Sequence, residues 1–110
     1  MSLEHTNIVD FVAINPTSGK VELTLLDPLP WTTDDQDHLF KLQEKLNSYL
    51  GFVESGEVFD SYPKARDREI SISIVFKYEP TLKAREFLEK AQAAIAEAGM
   101  ELLHEVFAEQ

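Results

Sequence analysis

Residues 69–78 read EISISIVFKY, and this stretch decides the fold. Apolar side chains recur at every second position, so a strand places five of them on one face: Ile70, Ile72, Ile74, Phe76 and Tyr78. Pro80 then ends the strand, because proline lacks the N–H group that a sheet ladder needs. A sheet with one apolar face buries that face under helices, which predicts an α+β two-layer sandwich.

Further strands are predicted on both sides of this stretch. Residues 7–14 are rich in β-branched and aromatic residues, and residues 21–26 alternate with Val21, Leu23 and Leu25 on one face. The intervening residues 15–20, NPTSGK, favour a turn, so the two segments should form an antiparallel hairpin. Residues 100–107 are predicted to form the last strand.

Two amphipathic helices separate the later strands. The first should cover residues 34–55 behind a capping box of Thr33 and Gln36, with an apolar stripe of Leu39, Leu42, Leu46, Tyr49, Leu50 and Val53. Gly51 lies inside this helix and off the stripe, where it costs about 1 kcal/mol relative to alanine or lets something approach closely. The second helix should begin after Thr81 and end at Gly99.

The predicted order is β-β-α-β-α-β, in a single domain over residues 1–110. Strands joined through a helix are parallel in one sheet, so the second, third and fourth strands should be parallel and the first antiparallel to the second. We therefore expect a four-stranded mixed sheet with two helices on one face. The order of the strands across the sheet is left open.

The composition argues against several classes of function. The chain has 20 acidic and 10 basic residues, a net charge of −10 that repels nucleic-acid phosphates. No apolar run reaches the roughly 18 residues of a membrane span, and the first residues lack a secretory signal. The chain has no cysteine, which excludes disulfides and thiolate metal sites. We expect an acidic cytoplasmic protein without a nucleic-acid or membrane partner.

The strands carry more apolar residues than one core requires. Both faces of the first and last strands are apolar, and Leu26 and Val75 point away from the predicted helical layer. Together these side chains would leave an apolar patch on the open face of the sheet. Either a homodimer forms through that face, or residues 57–68 cover it.

Polar residues beside the apolar stripe of the first helix form the candidate site. His38 and Lys45 lie along one edge of the stripe, and Gln43, Asn47 and Glu54 lie along the other. The aspartates within residues 34–37 suit the first turn of a helix, which explains them without a metal ion, and we predict no catalytic residue and no cofactor. The candidate ligand or interface residues are Trp31, His38, Phe40, Gln43, Asn47, Tyr49, Phe52 and Glu54.

Two sequence patterns carry a resemblance to a known family. They are LTxxDxLxW in residues 23–31 and HLxxLQxKxNxYxxFxESG in residues 38–56, and the likeness continues to Phe76-Lys77-Tyr78. In these patterns the chain resembles a family of small bacterial proteins that is known only as a domain of unknown function. The resemblance implies a bacterial cytoplasmic protein, and it assigns no catalytic or binding residue.

Two hypotheses of function follow from the sequence. The first is a non-enzymatic protein-interaction module that associates with itself or, as an acidic inhibitor, with a basic protein. It rests on the surplus apolar strand faces, on Phe40 and Phe52, which lie off the apolar stripe of the first helix, and on the net charge. The second is a small-ligand-binding protein or weak enzyme whose pocket is bounded by Trp31, His38, Asn47, Tyr49 and Glu54.

Overall fold

The computed structural model describes residues 11–31 and 36–107. Its elements are β1 Phe11–Ile14, β2 Val21–Asp27, α1 Gln36–Glu54, α2 Glu57–Ser61, a 3-10 turn at Pro63–Ala65, β3 Ile70–Phe76, α3 Leu82–Glu97 and β4 Glu101–Val106. This order confirms the predicted β-β-α-β-α-β arrangement and adds the short helix α2. Residues 7–10 of the predicted first strand and the predicted cap at Thr33 lie outside the described residues.

The four strands form one mixed sheet in the order β1-β2-β3-β4. The strand β1 is antiparallel to β2, whereas β3 is parallel to both β2 and β4. Leu23 of β2 lies opposite Val12 on one side and Ile72 on the other, and Ile72 in turn lies opposite Leu102. The strand directions confirm the prediction, and the crossovers through α1 and α3 each join neighbouring strands.

The core lies on one face of the sheet. Every second residue of β2 and β3 is buried there, as the alternation predicts for Ile70, Ile72, Ile74 and Phe76, whereas Tyr78 lies beyond the end of β3 and is 43% exposed. The helices contribute Leu42, Leu46 and Tyr49 from α1 and Leu88 and Ile95 from α3. Tyr49 is fully buried, and its hydroxyl donates a hydrogen bond of 3.0 Å to the carbonyl oxygen of Thr24. One apolar layer therefore joins the sheet and the long helices.

The buried face of α1 is rotated from the face that the sequence predicts. His38 and Lys45, predicted at the edge, are only 6% and 0% exposed, whereas Leu39 and Leu50 are half-buried. The imidazole of His38 contacts the carboxylate of Asp27, and the ammonium of Lys45 lies 5.9 Å from the ring of Tyr49. Polar groups that find such partners can be buried, and the lysine stem fills space as an apolar chain does.

The signals at both ends of α3 are confirmed. The side chain of Thr81 accepts a hydrogen bond of 3.2 Å from the backbone N–H of Ala84, which caps the helix. Gly99 follows the helix with a φ of 84°, a left-handed conformation that glycine adopts without a steric penalty. Thr81 therefore marks where α3 begins, and Gly99 marks where the chain turns towards β4.

The segment of residues 57–68 packs on the helical side of the sheet. Val58 and Ala65 are buried in the core, and Val12 and Ile14 of β1 pack against the same core. A cavity of about 390 Å³ lies between the segment and this end of the sheet, with Ile14 and Ala65 among its lining residues. The expectation that this segment covers the open face of the sheet is therefore wrong.

Candidate functional site

A buried carboxylate and a buried imidazole meet where β2 ends. The side chain of Asp27, the last residue of β2, is 0% exposed, and its Oδ2 lies 2.6 Å from Nε2 of His38 in α1. Its Oδ1 accepts a hydrogen bond of 3.1 Å from the backbone N–H of Leu29. With Asp27 ionised, Nε2 is the donor of the pair, because a carboxylate only accepts. Both oxygens of the carboxylate thus have a partner.

Trp31 covers this pair. Its indole stacks on the imidazole of His38, with ring centroids 3.7 Å apart and planes inclined by 17°. The indole Nε1–H points to the carbonyl oxygen of Tyr78 at 3.4 Å, and the ring of Phe76 lies 6.0 Å away. Prolines at positions 28 and 30 fix the backbone φ of the connector that leads to Trp31. We call Asp27, Trp31 and His38 the stacked pair site.

The other ring nitrogen of His38 does not take part in the contact with Asp27. Nδ1 is buried and has no hydrogen-bond partner within residues 11–31 and 36–107. An Asp–His pair supports nucleophilic or acid–base catalysis when the second nitrogen reaches a nucleophile or a substrate. Here Trp31 lies over the imidazole, and His38 is 6% exposed. In this conformation the stacked pair site joins β2, the connector and α1.

The other candidate residues do not gather around the stacked pair site. At 100° per residue, Asn47 and Glu54 stand about 180° and about 160° around α1 from His38, and both are exposed. Tyr49 shares the buried face of His38 but is held in the core by its bond to Thr24. The structure therefore does not form a pocket bounded by all five predicted residues. The remaining candidates lie at the surface or its edge: Phe40 and Gln43 are exposed, and Phe52 is half-buried.

The open face of the sheet carries an apolar cluster at one end. Leu26 and Val75 are half-buried register partners, Leu103 is 43% exposed, and Phe107 is 61% exposed. Leu26, Val75 and Phe107 lie at the carboxyl ends of β2, β3 and β4, and Leu103 lies nearer the middle of β4; these four residues are called the open-face cluster below. Glu22, Ser71 and Glu101 lie opposite one another at the amino ends, so that end of the face is polar, and the exposed Glu105 lies opposite Val75 at the other end.

A hollow of about 240 Å³ lies within the open-face cluster. It is lined by Leu26, Asp27, Pro28, Val75, Lys77 and Phe107. The backbone N–H of Phe107 donates to the carbonyl oxygen of Phe76 at 2.7 Å, which continues the pairing of β4 with β3 and holds Phe107 beside the hollow. Asp27 lines the hollow while its carboxylate contacts His38, so the stacked pair site and the open face meet at this residue.

The sequence matches a known protein family over almost its whole length. A family described as "Family of unknown function (DUF6572)" matches residues 1–108. The chain belongs to this family. The match confirms the resemblance to an uncharacterised family that the two sequence patterns indicate. Neither the curated proteins nor the solved structures gave a match to the chain.

In this DUF6572 member the sequence did not identify Asp27 as a residue of the stacked pair site. The sequence places it in the proline connector, where an exposed carboxylate is the default. Its partner, His38, is 11 positions away, and only the path of the connector brings the two together. Within the described residues no group of three or more histidine, aspartate or glutamate side chains could hold a metal ion, and no helix is long and apolar enough for a membrane span.

Proposed function

We propose that the chain is a non-enzymatic interaction module that self-associates through the open face of its sheet. The observation that supports this proposal is the open-face cluster, which has no helix over it within the described residues. The helices α1 and α3 and the segment of residues 57–68 all pack into the core on the opposite face. Exposed apolar patches on such a face favour contact with another protein surface.

A second copy of the chain fits this face because the amino end of the face is polar, whereas the carboxyl end carries the open-face cluster beside a single carboxylate, Glu105. A two-fold axis that lies in the contact plane, parallel to the strands, places the open-face cluster of one copy on that of the other. The same axis sets the polar amino ends opposite each other at the rim. Two sheets packed in this way lie about 10 Å apart, with their side chains interdigitating. Phe107 and the hollow beside it supply the aromatic anchor that such contacts use.

The size of the face predicts a weak and reversible dimer. The strands β2 and β3 have 7 residues each. At about 3.3 Å per residue and about 4.8 Å between strands, the face is roughly 23 Å by roughly 19 Å. This outline of about 440 Å² is smaller than the roughly 800 Å² that each partner buries in a standard interface. We expect dissociation in the micromolar range or above.

The effect of salt on affinity distinguishes a second copy of the chain from a basic partner protein. Each chain carries a net charge of −10, so two copies repel each other and added salt should strengthen the dimer by screening this repulsion. A complex with a basic protein is held by opposite charges and should weaken with salt. The direction of the salt effect therefore tells the two kinds of partner apart.

Sedimentation equilibrium of the wild-type chain and two variants tests the proposal. Phe107→Ser removes the anchor of the open-face cluster, and Phe40→Ser removes a phenylalanine of similar exposure, 58% against 61%, from α1. We expect a monomer–dimer equilibrium that strengthens with salt, that Phe107→Ser weakens at least tenfold and that Phe40→Ser leaves unchanged. A monomer at millimolar concentration would contradict the proposal, as would equal effects of the two variants.

A further inference from the structure

A third cavity, away from the open face and the stacked pair site, lies between the carboxyl-terminal part of α1 and the short helix α2. Its volume is about 430 Å³, which falls within the range of small-ligand sites. Its lining includes Ser48, Gly51, Phe52, Glu57, Ser61 and Tyr62. We call it the Gly51 cavity.

Gly51 helps to keep this cavity open. A glycine inside a helix lowers its stability, because the unfolded chain has more conformational freedom to lose. Packing does not demand this glycine, since a Cβ added to Gly51 would meet no atom within 4 Å. Nor is a left-handed backbone required there, because Gly51 has no positive φ. The missing side chain therefore leaves free volume where a ligand can contact the helix backbone.

The charge of the Gly51 cavity is negative. Glu57 lines it, and no lysine, arginine or histidine does. Other carboxylates in the described part of the chain, such as Asp37 and Glu79, form ion pairs with Lys41 and Arg85, whereas Glu57 has no such pair among the described residues. An excess of acidic residues over the whole chain also raises the local concentration of cations.

Aromatic and hydroxyl groups complete the lining. Tyr62 is 43% exposed, and Phe52 is half-buried, so both rings can contact a ligand. The hydroxyls of Ser48 and Ser61 can accept hydrogen bonds from N–H donors. Carboxylates attract ammonium groups by charge and aromatic faces attract them by their quadrupole, while ring surfaces also bury an apolar body. We propose that the Gly51 cavity binds a small organic cation, an ammonium group carried on an apolar body.

Titration with three probes of similar shape tests this site. They are 2-phenylethylamine as the cation, 2-phenylethanol as the neutral analogue and 3-phenylpropionate as the anion, followed by backbone amide shifts in NMR spectra of the full chain. We expect the amine to shift the amides of Gly51 and Tyr62 with saturation, and the alcohol and the acid to bind at least tenfold more weakly. No saturable shift from the amine, or equal binding of amine and alcohol, would overturn the proposal.

Three variants locate the binding. Glu57→Gln should weaken amine binding at least tenfold, whereas Glu44→Gln, which removes an exposed carboxylate of α1 outside the cavity, should change it less than twofold. Gly51→Ala should raise the urea midpoint of unfolding and still weaken amine binding, so that the loss cannot come from a damaged fold. Unchanged binding in Glu57→Gln or in Gly51→Ala would refute the site. The test does not depend on self-association, because Phe107→Ser should bind the amine as the wild type does.

Discussion

Removing His38 should reveal how strongly the stacked pair site stabilises the fold. In His38→Ala the carboxylate of Asp27 stays buried, with a side chain that is 0% exposed, and keeps only its hydrogen bond from Leu29. Removing the partner of a buried charged group costs about 3–5 kcal/mol, because the charge is left uncompensated. The hydrogen bond from Leu29 favours the lower end of that range, and the lost stacking with Trp31 adds about 1 kcal/mol. We expect His38→Ala to lower the free energy of unfolding by about 4 kcal/mol, a large part of the roughly 5–15 kcal/mol of a typical domain.

Urea unfolding followed by far-ultraviolet circular dichroism measures this loss without relying on the fluorescence of Trp31. His104→Ala is the matched control, because His104 is exposed and its ring centroid lies 6.3 Å from that of Phe76 in a T-shaped arrangement. The control should lose less than about 1 kcal/mol.

A double-mutant cycle with Asp27→Ala isolates the contact between the two side chains. The double variant should be more stable than the sum of the single losses predicts, by at least about 2 kcal/mol, because it removes both polar groups together. The reasoning is refuted if His38→Ala loses less than about 1 kcal/mol, or if the two substitutions are additive.

Further predictions concern single residues and the same unfolding assay. Trp31→Ala should lower the free energy of unfolding by about 2–3 kcal/mol, because it uncovers His38 and empties a half-buried site; a loss below about 1 kcal/mol would mean that the indole does not hold the connector. Thr81→Ala should cost about 1 kcal/mol through the lost cap of α3, and a neutral result would show that the bond to Ala84 contributes little. Gly51→Ala should stabilise the chain by about 0.5–1 kcal/mol, since nothing in the fold opposes the added methyl; destabilisation would show that the position is constrained.

The parts of the fold that local sequence determines were predictable. The alternation of apolar and polar residues in residues 69–78 predicts β3. Thr81 and Gly99 predict the two ends of α3, because one caps a helix and the other adopts a left-handed backbone. The parallel directions of β2, β3 and β4 follow from the helices between them. Each of these features depends on residues that are close together in the chain.

The features that the sequence did not predict depend on tertiary contacts. The sequence could not predict which face of α1 is buried. From sequence alone His38 and Lys45 are polar residues at the edge of the stripe, and only the folded structure places Asp27 and Tyr49 beside them. The strand order required knowing which neighbours the crossovers join. Trp31 and His38 were both named as candidates, yet their stacking depends on the path of the connector between the two prolines.

The most direct test of self-association is an isotope-filtered nuclear Overhauser experiment. A 1:1 mixture of ¹³C-labelled and unlabelled chain at millimolar concentration reports only contacts between different copies. The proposed dimer predicts cross-peaks between the methyls of Val75 or Leu103 in one copy and the ring of Phe107 in the other. A mixture without such cross-peaks, or with cross-peaks only at the helical surface around Phe40, would contradict association through the open face.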